Sequence, residues 1–424
     1  MDQVVATCVE SEVRSYSRSY PATFTAARDC HLITDTGEEY ADFLSGCGSL
    51  NYGHNNPILK NALLKYIAGD GLTLGLDLKS TAKNAFIEEF SSKILAPRGL
   101  SYRMQFTGPT GANAVEAAIK LARKATGRTN VVAFTNAFHG CSLGALSLTA
   151  NSYNRGSSIP MLNGVHRALF DGYLGADVDT AEILQKQLRD PSGGIDMPAA
   201  FILEIIQGEG GLNIASQAWV TRIAEIAREH GALLIVDEIQ AGCGRSGRFF
   251  SFEEYGIVPD IITMAKSISG FGLPMSLVLI RPSLDVWLPG EHNGTFRGNN
   301  HAFVTAAAAL SHYWSDDAFE REVGRKAGLL HEILVGFCAD TAYRAKGCGM
   351  MQGIDIGNAE LAGRIKAEAY RQKLIIELCG PHDEVVKLMP PLTILENELV
   401  SGTQRLLSLI RDVAGLTSHE GVRH

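Results

Sequence analysis

Asp260-Ile261-Ile262-Thr263-Met264-Ala265-Lys266-Ser267-Ile268-Ser269-Gly270 is an apolar run that ends in one lysine followed by small residues. The run reads as a buried strand, and the serines and glycine that follow end it, so the Lys266 ammonium stands at the strand's mouth. Partial desolvation there favours the neutral amine, which is the form that attacks a carbonyl and forms a Schiff base. By itself a lysine at a strand end is most often a solvated surface charge, and its neighbours have to decide.

Upstream, Leu233-Leu234-Ile235-Val236-Asp237-Glu238-Ile239-Gln240 is a second continuous apolar run, closed by two acids. It reads as a buried parallel strand, and Asp237 at its carboxyl end can pair with a pyridinium nitrogen or simply cap the next turn. Thr107-Gly108-Pro109-Thr110-Gly111-Ala112-Asn113 opens a helix whose Val115, Ala118, Ile119 and Ala122 share one face. The free amides of Gly111, Ala112 and Asn113 then lie at the positive end of the helix dipole, where a phosphate can sit; a capped helix without a ligand is the alternative. The GxxxxGK[ST] spacing is missing, which disfavours a nucleoside triphosphate.

Working outward, strands are read at Val131–Thr135 and Phe201–Ile206, and a helix at Trp219–His230 stopped by Gly231. Alternating strands and helices predict an α/β fold with a mainly parallel sheet covered on both faces. Leu32 to Tyr40 reads as a hairpin. Helices near Phe319–Phe337, Leu361–Gln372 and Leu399–Val413 flank a strand at Met350–Ile356. The expected division is an arm at 1-45 belonging to the smaller domain, a large cofactor-binding domain at 46-315 and a small α/β domain at 316-424.

Composition limits the function. The chain has 424 residues, 46% of them hydrophobic and 20% charged, enough for a large and a small domain. A net charge of -8 disfavours nonspecific nucleic-acid binding. No apolar run reaches the length of a membrane span, and residues 1-20 carry no secretory h-region, so a cytoplasmic protein is expected. The eight cysteines, at 8, 30, 47, 141, 243, 338, 348 and 379, form no CxxC pair and read as reduced thiols; no metal is expected.

Taken together, Asp42-Phe43-Leu44, Gly53-His54-Asn55-Asn56-Pro57, Thr110 to Asn113, Phe138-His139-Gly140, Gln207 to Gly211, Asp237 to Gln240, Lys266 and Gly294-Thr295-Phe296 appear in one order across nearly the whole chain. In that order they resemble the class III (omega) aminotransferases, enzymes of fold type I that use pyridoxal 5'-phosphate. The resemblance implies that Lys266 binds the cofactor as an imine and moves the proton, while Asp237 keeps the ring nitrogen charged. It places Phe138 against the ring, Gln240 at the phenolic oxygen, and Glu204 and Glu209 along the site. Thr295 would reach the phosphate of a neighbouring subunit, which implies a homodimer or higher homo-oligomer with shared sites.

Glu12 to Arg18, Gln240 to Arg245 and Gly294 to Gly298 are similar to family members that transfer an amino group from L-glutamate to L-aspartate 4-semialdehyde, giving L-2,4-diaminobutyrate. Two departures affect the substrate pocket. Family members acting on ornithine or 4-aminobutyrate usually carry an arginine before the Pro390-Pro391 pair, where this chain has Lys387; they often carry another after the His-Gly pair, where Cys141 stands. Lys387 and Arg297 are therefore the candidates to hold a substrate carboxylate. An ornithine or 4-aminobutyrate transaminase, a semialdehyde aminomutase and a non-catalytic binding module remain alternatives. The product could serve ectoine, siderophore or peptide-antibiotic synthesis.

Overall fold

The structure is a computed structural model that describes residues 9–156 and 162–416. Near the N-terminus β1 (Phe24–Arg28), β2 (His31–Thr34) and β3 (Glu39–Asp42) run antiparallel, and Gly37 turns between the last two at φ 84°. That is the hairpin read from residues 32 to 40.

A seven-stranded sheet follows. Its strands are β4 (Arg103–Phe106), β5 (Val131–Phe134), β6 (Val165–Ala168) and β7 (Ala200–Leu203), then, past a small hairpin of β8 (Ile206–Gln207) and β9 (Asn213–Ile214), β10 (Leu233–Asp237), β11 (Ile261–Met264) and β12 (Leu277–Ile280). The spatial order is β4-β12-β11-β10-β7-β5-β6; β12 runs antiparallel to both neighbours, and the other pairs are parallel. This is the mostly parallel α/β sheet that the alternation predicts, and it agrees with the fold type I that the resemblance implies.

Every residue of β5, β7, β11 and β12 is buried, because helices cover both faces. Alternate side chains of each strand enter different cores. Val131, Ala133, Ile202, Ile235 and Ile261 pack with Val115, Ala118, Ile119 and Ala122 of the helix Gly111–Thr126. Val132, Phe134, Leu203, Val236 and Ile262 face the opposite core with Trp219 and Ile223 of the helix Gln217–Glu229.

The strand read as Phe201–Ile206 stops three residues short. The Glu204 carboxylate accepts backbone N–H groups of Phe138 and Gly208, which draws the chain out of the sheet, and Ile206 begins β8 instead.

Towards the C-terminus lie β13 (Arg344–Cys348), β14 (Met351–Asp355), β15 (Leu374–Ile375), β16 (Glu377–Cys379) and β17 (Val385–Leu388). Four of them form a sheet of order β13-β14-β17-β16, while β15 pairs in parallel with β3 and extends the N-terminal sheet. The helices Ala318–Cys338, Ala359–Arg371 and Glu396–Ala414 pack over these strands, and Leu399, Leu406 and Ile410 form the buried stripe of the last. Among the described residues no helix is long and apolar enough to cross a membrane.

Candidate active site

A cavity of about 410 Å³ opens at the carboxyl ends of β10 and β11. It is the position where open α/β sheets bind ligands. Of the residues singled out in the sequence, Gly111, Ala112, Phe138, Glu204, Glu209, Asp237, Gln240 and Lys266 line it.

Lys266 follows directly on β11 and begins the short 3-10 turn Lys266–Ser269. Its backbone adopts φ 51°, a left-handed conformation that costs a non-glycine residue on the order of 1–2 kcal/mol. The turn is held from outside: the Ser267 hydroxyl donates to Gly48 O at 2.6 Å and accepts from Asn51 N at 3.3 Å, and Thr305 Oγ1 donates to Ser269 O at 2.6 Å. Such strain, fixed by surrounding bonds, aims the lysine from the strand end into the cavity.

Asp237 closes β10 and is 4% exposed. Its Oδ1 accepts from Thr263 Oγ1 and from the Ile239 N–H, both at 3.1 Å, and its Oδ2 lies 2.7 Å from His139 Nδ1. Burial works against a charged imidazole at His139, but the bond to Asp237 and that carboxylate's charge outweigh it, so the ring's pKa is raised. This pairing was not read from the sequence, where Phe138-His139-Gly140 was valued for its phenylalanine alone. Phe138 itself is half-buried on the wall.

The helix Gly111–Thr126 points its N-terminus at the cavity. Asn113 is a correction: its N–H bonds back to the Thr110 hydroxyl and carbonyl, at 3.4 and 3.1 Å, and it does not line the cavity. Thr110 lines it instead, which leaves the first-turn amides of Gly111 and Ala112 for an anion. Gly111 packs so closely on Ile239 that an added Cβ would meet Ile239 Cδ1 at 3.0 Å.

Gln240 donates Nε2 to Glu209 Oε1 at 2.9 Å and to Cys47 O at 3.3 Å; its buried Oε1 has no partner. A Cβ on Gly208 would lie 1.7 Å from that oxygen, so any larger residue there has to displace the Gln240 amide. Glu209 Oε1 also accepts from Lys387 Nζ at 2.9 Å. Burial alone would raise the Glu209 carboxyl, but the Lys387 and Lys266 ammoniums outweigh it and hold the carboxyl well below the usual range. Glu204, used by two backbone amides, is pushed up to about 7 by burial.

Besides Asn113, three candidates lie outside the cavity. Lys387, on β17, is fully buried; its Nζ donates to Glu209 Oε1 and to Gly208 O at 3.2 Å and forms an ion pair with Glu377 at 3.1 Å, so its charge is neutralised inside the protein, away from the cavity. Arg297 pairs with Asp77 and borders a second cavity of about 520 Å³ beside Trp287 and Phe106. Thr295 is exposed. Among the described lining residues, Lys266 is therefore the sole lysine or arginine.

A carbonyl-reactive amine, a buried carboxylate held by a histidine, and a helix N-terminus around one cavity suit a ring with a basic nitrogen and an anionic tail. The class III aminotransferase family model matches residues 14–410. The chain belongs to this family. A diaminobutyrate–2-oxoglutarate transaminase of Vibrio parahaemolyticus is 54% identical over 93% of this chain and 94% of its own length. One of the same name from Halomonas elongata is 52% identical over 93% and 95%. Among solved structures, the ornithine aminotransferase of Toxoplasma gondii superposes with a TM-score of 0.83 at 25% identity, over 97% of this chain and 94% of that one.

This aminotransferase is a pyridoxal 5'-phosphate enzyme, and its residues fit the group. The unpartnered Gln240 Oε1, the Asp237 carboxylate, and the Gly111 and Ala112 amides are the three polar contacts such a ring and its phosphate require, and all four residues border the cavity.

Proposed function

We propose that this aminotransferase moves an amino group between L-glutamate and L-aspartate 4-semialdehyde, producing L-2,4-diaminobutyrate and 2-oxoglutarate in a reversible reaction. The observation that carries the reading is the shared name of relatives at 54%, 53% and 52% identity whose alignments span at least 93% of both chains.

When bound, pyridoxal 5'-phosphate supplies an aldehyde that condenses with amines and a ring that accepts the electron pair left on the substrate carbon. Lys266 would hold the cofactor through its Nζ, and that amine, at the strand end beside the site, is the group placed to carry a proton to and from the substrate carbon. Asp237 keeps a ring nitrogen protonated, and His139 fixes the carboxylate's orientation and shares its charge. Gln240 would meet the phenolic oxygen, while the Gly111 and Ala112 amides would anchor the phosphate. Phe138 supplies an apolar wall for the ring.

The lining lacks a guanidinium for a substrate carboxylate. We infer that a second copy of the chain supplies it, with Thr295 and Arg297 on the loop after Gly294 reaching the neighbouring cavity of a homodimer or larger homo-oligomer. The division into an arm at 1-45, a large domain at 46-315 and a small domain at 316-424 is proposed on the same footing, supported by β15 joining the N-terminal sheet. A cytoplasmic location completes the proposal.

The test is to measure kcat/KM with diaminobutyrate, ornithine and 4-aminobutyrate, each with 2-oxoglutarate. A substrate one methylene longer shifts its reacting carbon against a fixed anchor, so diaminobutyrate should lead by about tenfold or more. Comparable efficiencies would leave only a general omega-aminotransferase. Turnover without any keto acid would point to an aminomutase.

A further inference from the structure

Far from the cavity in sequence, three potential ligands meet at the turn between β1 and β2. Cys30 Sγ lies 3.5 Å from Glu398 Oε2, His31 Nε2 lies 2.8 Å from Glu398 Oε1, and the three ligand atoms fall within 4.8 Å of one another. Successive strand residues normally point to opposite faces. Here Arg28 pairs with His31 across a two-residue turn, and Asp29 takes φ 49°, so Cys30 and His31 can both aim at the helix Glu396–Ala414 that carries Glu398.

We propose that Cys30, His31 and Glu398 form a binding site for a divalent transition metal of the zinc class. One sulfur, one imidazole nitrogen and one carboxylate oxygen match the ligand set of zinc and disfavour magnesium or calcium, which select oxygen. A tetrahedral zinc centre separates its ligands by roughly 3.3–3.8 Å. Cys30 Sγ stands at that spacing from Glu398 Oε2, and His31 Nε2 is within about 1 Å of it from the other oxygen, Oε1, so a small rotation of the carboxylate presents one oxygen to an ion between them.

A second observation points the same way. His31 Nδ1 lies 2.7 Å from Glu39 Oε1, so a carboxylate stands behind the ring as it does behind metal-bound histidines, fixing the tautomer that presents the Nε2 lone pair. Binding zinc releases the Cys30 thiol proton to solvent. The His31 and Glu398 side chains are 31% and 28% exposed, which gives the ion an entry path and leaves a fourth position for water.

The metal would tie the N-terminal hairpin to the C-terminal helix. Cys30 O accepts the Asp42 N–H at 2.7 Å, and Asp42 Oδ1 in turn holds the Leu44 and Ser45 amides at 2.9 Å each, so the tie reaches the segment that leads into Cys47. Its effect is on stability, with the transamination chemistry left to the cavity.

The experiment titrates the holoenzyme with Co2+ and with Zn2+. The expected result is one saturable equivalent of Co2+ with visible bands of tetrahedral intensity and a thiolate charge-transfer band, displacement by Zn2+, and a higher melting temperature with either metal. Cys30→Ser should abolish the charge-transfer band, Glu398→Gln and His31→Gln should weaken binding by tenfold or more, and Glu39→Gln should weaken it by about 10- to 100-fold. All four variants should keep wild-type transamination, which shows that they fold; if Cys30→Ser does not fold, Glu398→Gln decides. Absence of a saturable equivalent overturns the proposal, as does equal binding by the wild type and Glu398→Gln.

Discussion

His139 Nδ1 lies 2.7 Å from Asp237 Oδ2, and the two side chains are 0% and 4% exposed. Removing Asp237 leaves the buried imidazole without a side-chain partner, whereas Asp237 without His139 keeps Thr263 Oγ1 and the Ile239 N–H on its other oxygen. Asp237→Asn keeps the shape and takes away the charge that a protonated ring nitrogen needs, so cofactor should still bind while the chemical step slows by on the order of 10³-fold, several kcal/mol of transition-state stabilisation. His139→Gln keeps a donor to Asp237 without a charge and should show a smaller loss. Single-turnover rates in rapid mixing check both; an unchanged rate in Asp237→Asn would remove that residue from the chemistry.

Gly208 makes room for Gln240. With a Cβ placed 1.7 Å from Gln240 Oε1, Gly208→Ala must push the amide out of the cavity or shift the backbone that carries the Gln207-to-Gly211 turn. Loss of one hydrogen bond to the cofactor, at about 1 kcal/mol, should raise its dissociation constant roughly tenfold or less, with the melting temperature of the cofactor-free protein changed little. Cofactor retention on dialysis, followed by absorbance, measures it.

Burial and charge explain which parts of this site were legible in the sequence. Strands covered on both faces carry continuous apolar runs, so β5, β10 and β11, and with them Asp237 and Lys266, could be placed from residues alone. Side-chain pairing across distant segments leaves no such trace. His139 and Asp237 are 98 residues apart, and nothing in Phe138-His139-Gly140 says which neighbour the ring faces. Lys387 was misread for the same reason: a lysine next to Leu388 looks available until Glu209 and Glu377 are seen to surround it. Arg245 is a further case, wholly buried and bonded to Met350 O, Pro390 O and Asn51 Oδ1, with no carboxylate among these partners to betray it.

Acidity should track Glu204 and Glu238. Burial raises both to about 7 from an ordinary value of 4.5. A carboxyl whose folded pKa is raised binds protons more tightly when folded, so its contribution to stability is fully present below the unfolded value and is lost as pH rises through the folded one. Between about pH 4.5 and 7 each should therefore lower stability by roughly 3 kcal/mol. Glu204→Gln should flatten about half of that slope, leaving the Glu238 share, whose carboxylate is bonded to Ser251 N and Oγ. Melting temperatures from pH 5 to 8, with and without cofactor, test this; identical profiles for variant and wild type would refute the assignment.

Lys387 separates a structural charge from a substrate contact. Its ammonium is 0% exposed between Glu209 at 2.9 Å and Glu377 at 3.1 Å, and Glu377 and Cys47 also meet the Tyr16 hydroxyl, so the lysine neutralises an acidic cluster behind the cavity wall. Burial disfavours the ammonium, yet the two carboxylates hold its pKa well above the ordinary value. Lys387→Met removes the charge and leaves two carboxylates facing an apolar chain, which should cost about 3–5 kcal/mol and raise the Glu209 pKa. Glu209→Gln in the same chain removes one uncompensated acid and should recover part of that loss, so the double variant should melt higher than Lys387→Met alone. A lysine that merely held a substrate carboxylate would behave differently: Lys387→Met would raise KM, leave the melting temperature of the substrate-free enzyme near wild type, and gain nothing from Glu209→Gln.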